Sequence, residues 1–312
     1  MERFKFVLYR PIQLIPVLFG ISLVSFVLVQ SIPGDPVRIL LGVRATAEVI
    51  AKVRAQYGLD EPILVQYFFF LKNLAQGEFG RSIIYKTPVF TLIAARLMPT
   101  LFLLCYGVLM AALLGVALAV VAALNRGRWP DALVRAYSTA GLGLPAFWLG
   151  IVLIILFSLK LGWFPVSGYG RGFLAHLHHL FLPAFSIALA LSPILIRNLR
   201  ASLLAEHEAD HVTAARSRGI PEPRIFLRHV FRNSLIPTIT LLGVNVGWLI
   251  GGTVVIEQVF AVPGLGSLMV GSIFARDYLV VQAITLIFAM AVILTNFTVD
   301  VVCVALDPRI KL

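Results

Sequence analysis

Charge is spread so unevenly along this chain that the gaps between charges dictate its fold class. Six stretches carry no Asp, Glu, Lys or Arg: residues 11–34, 97–125, 136–159, 172–196, 233–256 and 278–299, each at least 22 residues long. A helix rises about 1.5 Å per residue, so about 20 residues cross a 30 Å hydrocarbon core. A membrane barrel would show alternating strands of about ten residues instead. The spacing predicts an all-α polytopic membrane protein with six transmembrane helices. In the fourth stretch, His176, His178 and His179 place the expected span nearer 180–199, with the histidines in the preceding loop.

Composition agrees. Of 312 residues, 59% are hydrophobic and 13% charged, too few polar side chains to cover a soluble protein of this size. That excludes an ordinary soluble enzyme and a disordered chain. The net charge of +11 is not gathered in a soluble basic domain, so no nucleic-acid partner is expected. Cys105 and Cys303 sit in apolar surroundings and suggest neither a disulfide framework nor a Cys-rich metal site.

Arg3, Lys5 and Arg10 before the first stretch resemble a signal peptide, but the apolar run is long and runs into Ile32-Pro33-Gly34-Asp35-Pro36 without a small-x-small cleavage site. It reads as a retained first helix. With the N-terminus placed inside, inner segments hold 15 Lys and Arg and the short outer loops hold 3. The positive-inside rule then puts both termini in the cytoplasm, and much of the positive charge is this topology signal.

Two polar segments exceed what a connector needs. The outer one, within 32–96, is punctuated by Pro33, Gly34, Pro36, Gly58, Pro62, Gly77, Gly80 and Pro88. Short helices are expected over 47–56 and 61–74, the second with Pro62 in its first turn and an apolar face through Tyr67, Phe68, Phe69 and Leu71. They form a cap that rests on the bilayer or receives a partner. The inner segment, 200–232, suits a helix over 201–218 ended by Gly219, with Pro221 and Pro223 opposing continuation. A second short helix is expected over 222–233. Such helices beside a membrane bundle suggest a docking surface, or a connector that touches only lipid headgroups. His207 and His211, four apart, are expected on one helix face. The chain is thus divided into an N-terminus and first helix (1–31), an outer cap (32–96), a core of five helices (97–303) and a tail (304–312).

Within the helices, small residues recur every fourth position: Gly107, Ala111, Gly115, Ala119 and Ala123 in the second, Gly243, Gly247 and Gly251 in the fifth. This permits close helix approach in lipid. Pro145 falls within the third helix, Pro193 interrupts the fourth and Pro237 lies near the start of the fifth. Each frees a backbone carbonyl and is a candidate hinge. Intramembrane charge is nearly absent: Asp300 is near the inner end of the last helix and Glu257 just past the outer end of the fifth. That disfavours proton or sodium coupling. No metalloprotease, phosphate-loop or nucleophile-elbow motif occurs. The three clustered histidines lack a nearby acidic or Cys ligand, and a wet loop explains them better than a metal. No catalytic site and no bound cofactor are expected.

Several ordered blocks carry a family resemblance. They are SIPGDP (31–36), QYGLDEP (56–62), GEFGRS (77–82), RLMPTL (96–101), DHVTAARSRGIPEPRIFLRHVFRNSLIPTIT (210–240), EQVFAVPGLGSL (257–268), RDY (276–278) and the closing DPRIKL. Together they closely resemble the inner-membrane permease subunits of bacterial ABC importers for dipeptides, oligopeptides, glutathione and nickel. The resemblance implies a pore shared with a second related permease, two cytoplasmic ATPase subunits that use ATP and Mg2+, and an extracytoplasmic substrate-binding protein. It implies that Asp210, Ala214, Ala215, Arg216, Arg218, Gly219, Arg228, Asn233 and Pro237 form a segment that couples to an ATPase. His211 and Thr213 depart from the usual pattern, where Tyr and a basic residue are common. Gly107, Gly115, Gly243, Gly247, Gly251, Pro145 and Pro193 are candidates for packing and gating. Peptide is the expected substrate, with glutathione or nickel as alternatives; an ion-coupled transporter or a non-transporting scaffold is the alternative of another class.

Overall fold

The computed structural model describes residues 16–27, 60–82 and 84–306, with isolated positions 30, 46 and 48. The expected helix over 47–56 lies almost wholly outside these, as do the basic residues before the first helix and those of the tail. The described chain is helical, and its one β-bridge joins Arg81 to Pro88. In order come α1 (Pro16–Val27), α2 (Ile63–Ala75), α3 (Val89–Leu124), α4 (Trp129–Gly141), α5 (Ala146–Leu153), α6 (Phe173–His207) and α7 (Asp210–Ser217). Then follow α8 (Glu222–Val259), α9 (Leu265–Phe274) and α10 (Tyr278–Leu306).

Four of these, α3, α6, α8 and α10, are long and apolar enough to cross a membrane, and α4 with α5 makes a fifth if the bent pair is one span. The protein is therefore an all-α polytopic membrane protein. Of the first expected span, α1 is the described part.

The third expected span is not one rod. Helix α4 ends at Gly141, α5 begins at Ala146, and the two axes meet at 108°. Pro145 is not inside a helix but caps α5 with an extended backbone, ψ 139°. Proline has no N–H to continue a helix, and its ring pushes the residue before it away from helical geometry. Downstream, α5 passes into a π-helical stretch, Ile154–Lys160.

The contacts form two compact units, residues 1–98 with 268–291, and residues 99–267 with 292–312. In the first, Tyr67 of α2 is buried against α1: its hydroxyl is 2.7 Å from Ser22 Oγ, and its ring meets Phe19 and Phe26. Ile63, Leu64 and Phe68 of the same helix stay exposed. A turn after α2 is held at Asp277, whose carboxylate accepts from the Ser82 hydroxyl and, at 3.3 Å, from the Ile84 N–H.

In the second unit, α6 is the central element. Leu180, Leu182, Ile187, Leu103, Ile256 and Phe260 form one buried cluster around it. The small-residue face of α3 lies on it: a Cβ added at Gly107 would come within 3.0 Å of Ile187, and one at Gly115 within 3.0 Å of Leu195. The glycines of α8 do not share one neighbour. A side chain at Gly243 would collide with Val299 of α10, one at Gly247 would touch Val292 at 3.6 Å, and one at Gly251 would meet nothing within 4 Å.

The three histidines are not in a loop. Gly172, with φ 87°, starts α6 at Phe173, so all three lie in its first turns. Their ring nitrogens hold the preceding loop: His176 Nδ1 reaches the Tyr169 carbonyl at 2.8 Å, His178 Nε2 that of Trp163 at 3.0 Å, and His179 Nδ1 that of Ser167 at 3.0 Å. A carbonyl only accepts, so each of those nitrogens carries the proton. Polar side chains next to an apolar run here mark a helix start that anchors its own loop.

Candidate docking site

The polar segment 200–232 folds differently from one helix over 201–218. Helix α6 continues to His207, the chain turns at Glu208 and Ala209, and α7 starts at Asp210. His207 and His211 thus sit on different helices. His211 Nε2 is 3.3 Å from Glu206, while the His207 ring accepts from Arg216 Nη2 at 2.9 Å.

Helix α7 is a single amphipathic piece. Val212 and Ala215 are buried with Leu199 and Leu203 of α6 and Ile225 and Val230 of α8. Its opposite face, with Asp210, His211, Thr213, Ala214 and Ser217, is exposed, and Arg218 and Gly219 beyond it are exposed too. Asp210 in the first turn and Arg216 in the last complement the helix dipole.

Its end is closed by hydrogen bonds. The Ile220 N–H bonds the Ala215 carbonyl at 3.3 Å and the Gly219 N–H bonds Arg216 at 2.9 Å, the paired pattern of a Schellman cap. Gly219 takes φ 75° with open space around it, so its backbone, not crowding, calls for glycine. Ile220 packs back onto the cluster that contains Ala215. Arg216 Nε also bonds Glu222 Oε1 at 2.6 Å and so bridges α7 to the start of α8.

The expected helix over 222–233 is not separate. It is the beginning of α8, a helix of 38 residues, joined through a π-helical stretch, Phe226–Phe231. Ile225 and Val230 are both fully buried. Five residues apart, they would point to different sides of an α-helix; i→i+5 turns keep them on one side. Arg228 and Pro237 are exposed, and Asn233 donates to Glu206 at 3.4 Å. The structure therefore gathers Asp210 through Gly219 into one capped unit, with Asn233 beside it through Glu206 and Arg228 and Pro237 farther along α8.

Two buried polar contacts were not legible beforehand. Asp131, in the first turn of α4, is 1% exposed and receives a two-pronged bond from Arg200 of α6, Nε to Oδ1 at 2.7 Å and Nη2 to Oδ2 at 2.8 Å. The Gly127 N–H adds 3.1 Å to Oδ2. Nearby, Arg126 meets Glu208 at 2.6 Å on the surface. The second contact is Glu257, which lies inside α8 rather than past its end and is fully buried. Thr100 Oγ1 donates to Oε1 at 2.6 Å, and the Ser267 N–H donates to Oε2 at 2.8 Å. Thr100 Oγ1 in turn accepts from the Leu265 N–H at 2.8 Å. Gly264 lies against the carboxylate, where any side chain would collide with it, and a Cβ at Gly266 would come within 2.6 Å of the Val254 Cα and 3.0 Å of Oε2. The glycines around Pro263, soon after a lone acid, were the available sequence signal for this clasp. Nothing local marks Arg200 as the partner of Asp131.

Among the described residues no group of three His, Cys, Asp or Glu is placed to hold a metal ion. What the geometry offers is a candidate docking face, an exposed capped helix on a buried apolar base. Fold and site together define a helical, multi-pass membrane protein with an exposed, capped short helix beside its long apolar helices.

The comparisons with known proteins give the family. Residues 115–312 match the binding-protein-dependent transport system inner membrane component, and residues 3–104 match the N-terminal part of such membrane components. The chain belongs to this family. It is 40% identical over 307 residues to the glutathione transport system permease protein GsiC of Escherichia coli (strain K12), covering 98% of this chain and 99% of that one. The protein of that name from Shigella dysenteriae serotype 1 matches at the same 40% over 307 residues. Among solved structures, the inward-facing MetNI methionine ABC transporter aligns with a TM-score of 0.56 at 16% identity, over 69% of this chain and 96% of that one. An amino acid ABC transporter with histidines aligns at 0.50 and 16%, over 70% and 94%. These share the fold. The chain is accordingly a non-catalytic, multi-pass inner-membrane permease component of a multi-subunit ABC importer.

Proposed function

We propose that this permease forms half of the pathway of an importer for glutathione or a closely similar small peptide. The observation that carries this reading is the 40% identity to glutathione permeases over 98% of the chain. Sequence motifs alone favoured dipeptides or oligopeptides; the full-length relatives favour glutathione, itself a tripeptide, at least as well. In this reading a second related permease completes the pore, and two ATPase subunits bind ATP and Mg2+ on the inner side. A binding protein delivers substrate to the outer cap of residues 32–96. Both termini lie inside, as the 15 to 3 count of basic residues supports.

Helix α7 and its Gly219 turn are the part that enters a groove on an ATPase. Closure of the ATPases moves α7, the bundle exchanges its outward and inward arrangements, and hydrolysis resets it. The permease supplies a path and a two-state packing. Arg218 and Arg228 are exposed cations facing the partner, where single surface pairs contribute about 0–1 kcal/mol and the apolar and backbone fit does more.

The test is uptake in vesicles that hold both permeases, both ATPases and the binding protein, with labelled glutathione, a dipeptide and nickel offered separately. ATP-dependent uptake of glutathione is expected. Dipeptide uptake without glutathione uptake returns the substrate to the peptide reading, and ATP-independent uptake by this chain alone overturns the importer assignment.

A further inference from the structure

Helices α4 and α6 meet along a ladder. Asp131 holds Arg200 through two bonds. One turn on, Val134 and Ile196 share a buried cluster with Ala122. Next, the Tyr137 hydroxyl lies 2.8 Å from Ser192 Oγ and 3.2 Å from the Leu189 carbonyl. Last, Gly141 stands so close to Pro193 that an added Cβ would come within 2.5 Å of its Cγ. The inner end of α6 thus serves two neighbours at once. Leu199 and Leu203 seat α7, and Arg200, between them, grips α4. At its other end α4 runs into the 108° bend to α5, where Gly150 packs on Phe260.

Resting on the proposed importer function, we infer that Asp131 and Arg200 are positioning residues that carry movement of the docking helix α7 to the bent pair α4–α5. The ion pair is the charged contact between α4 and α6, with Arg135 of α4 adding a longer pair to Asp131 at 3.6 Å, and it sits at the end of the ladder nearest α7. A fork of two charge-assisted bonds fixes direction as well as distance, so α4 follows α6 rather than sliding on it. The neutral rungs, apolar contacts and the single-hydroxyl bonds of Tyr137, constrain direction less than a charged fork.

The experiment uses the assembled importer in vesicles and compares wild type with Asp131→Asn, Arg200→Gln, the exchange Asp131→Arg/Arg200→Asp, and Val134→Ala as a packing control on the same seam. Two quantities are read: substrate taken up per ATP hydrolysed, and the change on ATP binding in the mobility of a single spin label at Ile155, just past α5. That site is exposed and away from α7. The single variants are expected to hydrolyse ATP while uptake per ATP falls roughly tenfold, within the usual range of coupling between sites, and the label stops responding. The exchange variant regains part of both, and Val134→Ala keeps both. Wild-type stoichiometry in Asp131→Asn overturns the inference. So does a loss of uptake and hydrolysis in proportion to lost complex, with no recovery in the exchange variant, because that is a purely structural role. If wild-type vesicles carry neither glutathione nor peptide, the function reading fails; the label response still decides whether the pair transmits movement.

Discussion

The Tyr137 hydroxyl donates to the Leu189 carbonyl at 3.2 Å, and Leu189 is the residue whose carbonyl Pro193, four positions on, leaves without its helical donor. A break in α6 is thereby closed by a side chain of α4. This is how a proline persists inside a membrane helix without an unpaired group. It also makes Pro193 less a free hinge than a socket.

Replacing Tyr137 by Phe removes that donor together with the 2.8 Å contact to Ser192 Oγ, and keeps the ring. The expected cost is about 1 kcal/mol, in line with interhelical hydrogen bonds in membranes. It is read as a lower unfolding midpoint of the purified complex in detergent. An unchanged midpoint would show that water or Ser192 serves the carbonyl equally well.

Glu257 makes a sharper case. Glu257→Gln keeps an acceptor for the Ser267 N–H and a donor for Thr100 Oγ1, so folding should survive. Glu257→Ala leaves the Ser267 N–H without its acceptor and opens a void between Gly264 and Gly266. Each buried donor left unmade costs about 1–3 kcal/mol. Size-exclusion chromatography should show far less monodisperse Ala variant than Gln variant, and equal yields would refute the clasp.

At Gly219 the strain is conformational. Alanine at φ 75° costs about 1–2 kcal/mol relative to glycine, while Asn, which tolerates that region, costs less. Amide exchange in α7 should quicken in Gly219→Ala, and ATPase stimulation by loaded binding protein should drop with membrane insertion unchanged. Normal stimulation in the Ala variant would remove the turn from the coupling argument.

The glycines of α8 should separate by neighbour. Gly243→Leu collides with Val299 and should lower the yield of folded protein, with partial recovery on Val299→Ala. Gly251→Leu meets open space within this chain and should leave the isolated subunit's yield intact. Equal yields for the two variants would contradict the packing.

Much of this was visible in the chain itself, for physical reasons that also set the limits. Charge-free runs identify α3, α6, α8 and α10, because lipid forbids charge over such lengths. Gly219 and the two prolines after it mark the end of α7, since backbone preference is local. The turn at Glu208 and Ala209, by contrast, falls among residues that all favour helix, and only the docking of Val212 and Ala215 onto α6 decides it. The join of 222–233 to the fifth span does not show as a charge-free run, because Arg224, Arg228 and Arg232 interrupt it, and the π-helical turns that keep Ile225 and Val230 on one side leave no 3.6-residue pattern across it. Asp131 and Arg200 lie 69 positions apart, and no single sequence shows such pairing. The histidines misled for a related reason: their polarity suggested a loop, while their partners are the loop's carbonyls.

The unbroken course of α8 has a mechanical meaning. At 38 residues it is about 57 Å long, nearly twice the thickness of the hydrocarbon it crosses. Its first turns pack beneath α7, and its last turn holds Glu257. A see-saw of that length needs little rotation: tilting about 4° around its midpoint carries the two ends roughly 2 Å in opposite directions, the scale of helix shift that switches packed interfaces. Small strokes at one face of the membrane would thus arrive at the other undiminished and reversed in sign.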